Sequence, residues 1–182
     1  MIQYAMLYIV TALKSEAQAF VEKYSLTKTS SDGYTIFENE NFRVIVSGVG
    51  VESAKKAATF LLKKFSHSSE DRFINVGICG ANKSHKIGTL LNIGSIIYRG
   101  ASHTLNRSSL HAITCADEEI SKDQYEIVDM ESFGFHKALK ERQNHFIFKV
   151  VSDHFEPNKV TKDGTKKLIF NVIDEIIKEV AR

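Results

Sequence analysis

Apolar residues recur along this chain in two rhythms. Near-continuous runs at residues 4–10, 73–79, 93–98 and 146–153 have the length and β-branched content of strands buried on both faces. Between them, apolar residues return every three or four positions. Ala17, Phe20, Val21 and Tyr24 form one stripe and predict a helix over 14–24. Ala54, Ala57, Ala58, Leu61, Leu62 and Phe65 predict a second, over about 52–64. Leu168, Ile169, Val172, Ile173, Ile176, Ile177 and Val180 predict a third, over about 160–180. The Ser30-Ser31-Asp32-Gly33 turn is flanked by expected strands at 34–38 and 42–47. A further strand is expected at 110–115, and residues 99–109 read as polar loop.

Strands that alternate with helices predict an α/β protein of one domain, residues 1–182, with a mixed, largely parallel sheet and right-handed crossovers. The stretch Ile127-Val128-Asp129-Met130-Glu131-Ser132 is the most informative. A short apolar run ends in two carboxylates, and helix-forming sequence follows to about Arg142. Glu131 thus falls at or just inside a helix N-terminus, where a carboxylate is favoured. Asp129 and Glu131 as plain helix caps is the simpler reading of these residues alone. Position gives them more weight. Glu16, the Ser47-Gly48-Val49-Gly50 turn, the Gly80 turn, Glu131 and Ser152-Asp153 all follow strands, and strand ends of a parallel sheet share the edge where ligands bind. Three carboxylates at one edge suggest chemistry with a cationic transition state. The glycine turn at 47–50 is either structural or a cradle for phosphate.

Composition narrows the field little. Of 182 residues, 43% are hydrophobic and 25% charged, and the formal charge of +2 argues for neither nucleic acid nor an anionic membrane as partner. The apolar N-terminal run is too short to span a bilayer, and a cytoplasmic protein is expected. Cys79 and Cys115 read as reduced core residues. The seven histidines lack metal-site spacing, so no metal and no cofactor is expected. Tyr4, Tyr8, Phe133 and Phe135 read as core rather than an aromatic cage.

In chain order, Ala12-Leu13-Lys14-Ser15-Glu16, Ser47-Gly48-Val49-Gly50, Asn75-Val76-Gly77-Ile78-Cys79-Gly80-Ala81, Ile93-Gly94-Ser95-Ile96-Ile97, Val128-Asp129-Met130-Glu131 and Val151-Ser152-Asp153 resemble the motifs of the nucleoside phosphorylase and nucleosidase superfamily. The hydrolytic branch is most similar: the 5'-methylthioadenosine/S-adenosylhomocysteine nucleosidases and futalosine-type hydrolases. The resemblance implies a three-layer α/β/α fold and cleavage of the N-ribosidic bond of a purine ribonucleoside or 5'-thio nucleoside. By that resemblance Asp153 protonates the leaving base and Glu16 is the base that activates water. Met130 packs under the ribose, Glu131 accepts from its hydroxyls, and Ser152 steadies the turn. Ser47, Gly48 and Gly80 are expected to bind substrate as well, and a homodimer is a modest expectation.

Three positions depart from the pattern. Ile78 replaces a serine, Lys149 an arginine, and only about 30 residues separate Tyr98 from Asp129, where the family has two to three times as many. Glu119 stands near the place of a base-stacking phenylalanine. A phosphorylase, with phosphate as co-substrate, remains as an alternative, although the first glycine loop has no arginine. So does a nucleoside-binding scaffold without activity.

Overall fold

The structure is a computed structural model and describes residues 5–105, 111–142 and 144–181. One ten-stranded mixed sheet runs through it, flanked by two helices on each face. The strands are β1 (Leu7–Thr11), β2 (Thr27–Ser31), β3 (Tyr34–Glu38), β4 (Phe42–Val46), β5 (Arg72–Ala81), β6 (Leu90–Tyr98), β7 (Ala101–Thr104), β8 (His111–Cys115), β9 (Ile127–Asp129) and β10 (His145–Asp153). The helices are α1 (Lys14–Tyr24), α2 (Val51–Lys64), α3 (Ser132–Leu139) and α4 (Lys162–Val180).

The expected mixed α/β/α architecture is found, with a closure that the sequence did not announce. Strand order is β10-β6-β8-β9-β5-β1-β4-β3-β2, and β10 also pairs with β5 along almost its whole length. The five strands β5, β9, β8, β6 and β10 therefore close into a ring, and β1, β4, β3 and β2 extend from it as an open sheet. Closure removes the sheet edge on that side. On one face, α1 and α4 cover Ile9, Val44, Ile74, Val76, Phe148 and Val150. On the other, α2 and α3 cover Val10, Ile45, Phe73, Cys79 and Ile147. Tyr8 and Phe135 are buried core residues and Phe133 stacks on Tyr98, as expected of core; Tyr4 lies outside the described residues.

Two strands escaped the pattern. β2 is the sequence Thr-Lys-Thr-Ser-Ser and β7 lies within the stretch read as loop; among the described residues β2 is held by β3 alone and β7 by β6 alone. Both are polar edge strands, without the alternation that a half-buried strand shows. The helix after Glu131 ends at Leu139 rather than near Arg142, and a 3₁₀ turn at Pro157–Lys159 precedes α4.

The two helices nearest the site touch through a glycine. A Cβ on Gly134 of α3 would stand 1.9 Å from the Val51 carbonyl oxygen, in the first turn of α2. Gly134→Ala gains about 1 kcal/mol in helix propensity. Overpacking against fixed backbone costs about 1–3 kcal/mol or more. The variant should thus unfold at a lower temperature than the parent, by thermal denaturation. An unchanged or raised Tm would show that the helices do not meet this closely.

Candidate active site

The strand ends converge on a cavity of about 290 Å3, at the lower end of the small-molecule range of about 300–1,000 Å3. Its wall includes Glu16, Gly80, Met130, Glu131, Ser152 and Asp153, so six of the eight residues singled out from the sequence meet there. Glu16 comes from the first turn of α1, just past β1. Gly80 ends β5, and Ser152 and Asp153 end β10. These three strands are parallel, so the shared-edge argument holds for them. Glu131 arrives differently. β9 runs antiparallel to the end of β5, with Val128 opposite Gly80, and delivers Glu131 from the far side.

Ser47 and Gly48 are not among the residues lining the cavity; Val49 is. The reason is local. The Ser47 hydroxyl and amide both donate to the Thr11 carbonyl, at 3.1 and 2.8 Å, and the Gly48 amide donates to Ala12 O at 3.1 Å. Gly48 and Gly50 take φ of 83° and 105°, a left-handed turn that leaves Val49 facing the cavity. The Gly50 amide is bonded too, donating to Glu131 Oε1 at 2.9 Å. Three of the four loop amides thus have protein acceptors. The loop is no open phosphate cradle.

Glu16 is 1% exposed. Its Oε2 accepts from the Ala12 and Leu13 amides, both at 2.9 Å, and its Oε1 from the Ile78 amide at 2.9 Å. A carboxylate has about four lone-pair directions. Three are filled, which leaves one, on Oε1. Burial pushes the Glu16 carboxyl above its ordinary pKa, against the pull of these amides and of Lys149.

Asp153 sits in a turn of its own. Oδ1 accepts from the Ser152 hydroxyl at 2.6 Å and Oδ2 from the Glu156 amide at 2.8 Å. Phe155 adopts φ of 59°, which bends the chain back so that this amide can reach. Next to it, the His154 ring is bonded through Nδ1 to the Ala81 carbonyl at 2.9 Å and faces away from service to Asp153.

Behind the cavity wall lies an ionic cluster that sequence reasoning saw only in pieces. Lys149, in the middle of β10, is 1% exposed, and its Nζ stands 2.8 Å from Asp129 and 4.0 Å from Glu131. Gly77 makes the room. A Cβ there would be 3.0 Å from Glu16 Oε1 and 3.3 Å from Lys149 Nζ. Burial alone would lower the Lys149 pKa, but Asp129, Glu131 and Glu16 outweigh it and hold the ammonium charged. Asp129 also caps α3, accepting from the Ser132 amide at 2.9 Å and the Ser132 hydroxyl at 2.6 Å. The capping reading was right for Asp129. Glu131 instead reaches across the fold to the N-terminus of α2. Burial first, and then the Asp129 charge, raise Glu131 to about 7, although Lys149 and the Gly50 amide pull it down.

Glu118, Glu119 and Ile120 complete the wall on the side of the shortened segment. Glu119 does lie at the cavity, and Ile120 beside it is an apolar contact that the sequence did not single out. Among the described residues, the cavity wall carries six carboxylates and no lysine, arginine or histidine. Cys79 and Cys115 are free, buried thiols; burial pushes Cys115 up to about 12, so neither is a nucleophile at neutral pH.

The fold and site together describe a mixed α/β protein with a carboxylate-walled pocket at its strand ends. The same fold is found in a 5'-methylthioadenosine/S-adenosylhomocysteine nucleosidase from Neisseria meningitidis, in complex with methylthio-immucillin-A, at a TM-score of 0.77. That match covers 96% of this chain and 99% of the other at 14% identity. The nucleosidase of Colwellia psychrerythraea in complex with adenine matches at TM-score 0.72 and 16% identity, over 95% and 96% of the two chains. Futalosine hydrolase of Helicobacter pylori matches at 0.75 and 12%, over 94% and 98%. At these identities the likeness establishes the fold, and it is the fold that the sequence resemblance implied. No family model and no curated protein matches the sequence. Among the described residues, no helix is long and apolar enough to cross a membrane.

Proposed function

We propose that this protein hydrolyses the N-ribosidic bond of a purine ribonucleoside or a 5'-thio-substituted nucleoside. The observation that carries the reading is the convergence of Glu16, Glu131 and Asp153 on one cavity whose charged wall, among the described residues, is exclusively acidic. As the base departs, the sugar becomes oxocarbenium-like. Fixed anions around it then stabilise the transition state more than the neutral ground state.

Asp153 protonates the departing base, which makes it a better leaving group. Its carboxyl is held by Ser152 and the Glu156 amide, so its orientation is fixed before substrate enters. Glu16 takes the proton of the attacking water. Its one vacant lone pair gives that water a single direction of approach, and a pKa raised by burial makes the carboxylate a stronger base. Glu131 accepts from the ribose hydroxyls, and Met130 packs against the ring.

Two features favour water over phosphate as nucleophile. A phosphate dianion entering this cavity would meet, among the described residues, six carboxylates and no guanidinium or ammonium on the wall. Three of the four glycine-loop amides that could hold it are already bonded. Base release from methylthioadenosine, adenosylhomocysteine, inosine and adenosine, followed with and without phosphate, tests the reading. Release without phosphate is expected from at least one of them. Release only with phosphate would make the protein a phosphorylase, and no release from any would leave a binding protein.

Glu131 adds a pH dependence. Only its ionised form accepts from both hydroxyls, and with a pKa near 7 the ionised fraction falls as pH drops below that value. The value of kcat/KM should therefore decline on the acid side of about pH 7. Glu131→Gln should lower the plateau and flatten this limb, in a pH–rate profile from pH 5 to 9. A limb that persists in the variant assigns the titration to another group.

A further inference from the structure

Asp153 has irregular backbone on both sides. Before it, the β5–β10 ladder shifts register between Val151 and Asp153, so Ser152 is bulged out of the pairing. A bulge re-aims the side chains next to it. After it, Phe155 takes φ of 59°. Among the described residues, four other than glycine have positive φ. Ser25, Asp32 and Arg99 are exposed, whereas Phe155 is buried. A side chain with a Cβ is crowded in that conformation, which persists only where its surroundings impose it.

The aromatic ring supplies that constraint. Asp153 lies opposite Gly80 in the β5–β10 ladder, and Gly80 lies opposite Val128 in the β5–β9 ladder. A Cβ on Gly80 would stand 3.5 Å from Phe155 Cδ1 and 3.4 Å from Val128 Cγ1, so the ring covers the Gly80 backbone beside Val128. Gly80 and Val128 line the acidic cavity; Phe155 does not, and packs against them from outside it. The ring also belongs to neither of the two apolar cores that the helices cover. Its burial is local to this turn. It fixes Phe155 against β5, and the Phe155 backbone in turn places the Glu156 amide 2.8 Å from Asp153 Oδ2.

We propose that Phe155 is a positioning residue for Asp153: its buried ring, seated on Gly80, holds a strained backbone that delivers the Glu156 amide and so fixes the direction of the Asp153 carboxyl. For catalysis the proposal rests on the hydrolase reading, in which Asp153 protonates the departing base. A reacting group misplaced by about 1 Å can cost about 10²-fold in rate, which is reason enough to keep a strained turn here.

The test separates ring from backbone. Phe155→Asn removes the ring, and asparagine tolerates a left-handed φ. Phe155→Leu keeps an apolar side chain at the same place. Rates are taken below the Tm of each protein on two substrates. One is whichever of the nucleosides named above the parent hydrolyses fastest; the other is para-nitrophenyl β-riboside, whose phenolate leaves without a proton. Phe155→Asn should lower kcat on the nucleoside by about 10–10²-fold, with a smaller change in KM. On the phenolate substrate it should match the parent, which a merely structural loss would not allow. Phe155→Leu should recover most of the nucleoside rate. Amide hydrogen exchange by NMR reads the turn without any substrate. The Glu156 amide should exchange at least about tenfold faster in Phe155→Asn, as its bond to a carboxylate is released. A Phe155→Asn variant as fast as the parent on the nucleoside overturns the proposal. So does equal slowing on both substrates, or an unchanged exchange rate at Glu156. If the parent releases base from none of the nucleosides while Glu156 exchange rises in Phe155→Asn, the hydrolase reading fails and the dependence of the turn on the ring stands.

Discussion

Asp153→Asn should lower kcat for base release by about 10²–10⁴-fold, the usual contribution of a positioned general acid. The substitution is nearly isosteric, and an amide oxygen still accepts from the Ser152 hydroxyl or the Glu156 amide, so Tm should change little. KM should change less than kcat, because the proton is needed in the transition state and not for binding. A purine analogue whose base leaves without protonation separates the roles. The variant should regain rate on such a substrate, since the missing proton is no longer required. A variant equally slow on activated and ordinary substrates would place Asp153 in binding rather than proton transfer. Steady-state rates on both substrates, with melting curves of both proteins, make the comparison.

The sequence carried the helices and central strands because their apolar periodicity reports burial directly. α2 shows this well, since Ala54, Ala57, Ala58 and Leu61 are all fully buried. The ring of β5, β9, β8, β6 and β10 was not readable for a different reason. Periodicity tells which residues face a core, not which strand pairs with which. Phe73 and His145 are opposite each other in the β5–β10 ladder and lie 72 positions apart. The same limit applies in the site. Positions after strands brought Glu16, Glu131 and Asp153 together, but the Glu131 bond to the Gly50 amide joins residues 81 apart. Nothing local in Ser47-Gly48-Val49-Gly50 reveals that three of its four amides are already occupied.

One signal was present and could have been used. Lys149 stands alone in the run Phe146-Ile147-Phe148-Lys149-Val150-Val151, which is otherwise apolar on both sides. A charge at the centre of a strand buried on both faces must meet a partner or lose its proton. The neighbouring strand ends offer Asp129, Glu131 and Glu16. Taken seriously, that single lysine predicts that the carboxylates gather around β10 before any family motif is consulted. The acid pocket and its buried cation are thus one arrangement. Without the ammonium behind the wall, three or more carboxylates could not stay ionised so close together.

Lys149→Met should therefore destabilise the fold by about 3–5 kcal/mol, the cost of stranding a buried charge once its partner is removed. Methionine fills most of the volume, so cavity formation adds little. What remains is the Asp129 carboxylate, whose side chain is fully buried, with Glu131 close by and no cation. The sign of the pH effect follows from Glu131. Its pKa is near 7 with Lys149 in place and rises further when the ammonium is lost. A carboxyl raised above its unfolded value, about 4.3, binds more protons folded than unfolded, so its penalty grows as pH rises through that interval. The penalty is complete above the folded pKa and disappears below the unfolded one. The parent carries the same penalty up to about pH 7. The Tm gap between parent and variant should accordingly be smallest at and below about pH 7 and widen as pH rises from about 7 towards 9. Melting curves by circular dichroism across that range would show it. A gap that stays constant with pH would mean that Lys149 acts by packing alone, and that the carboxylates of the pocket owe their charge to something else.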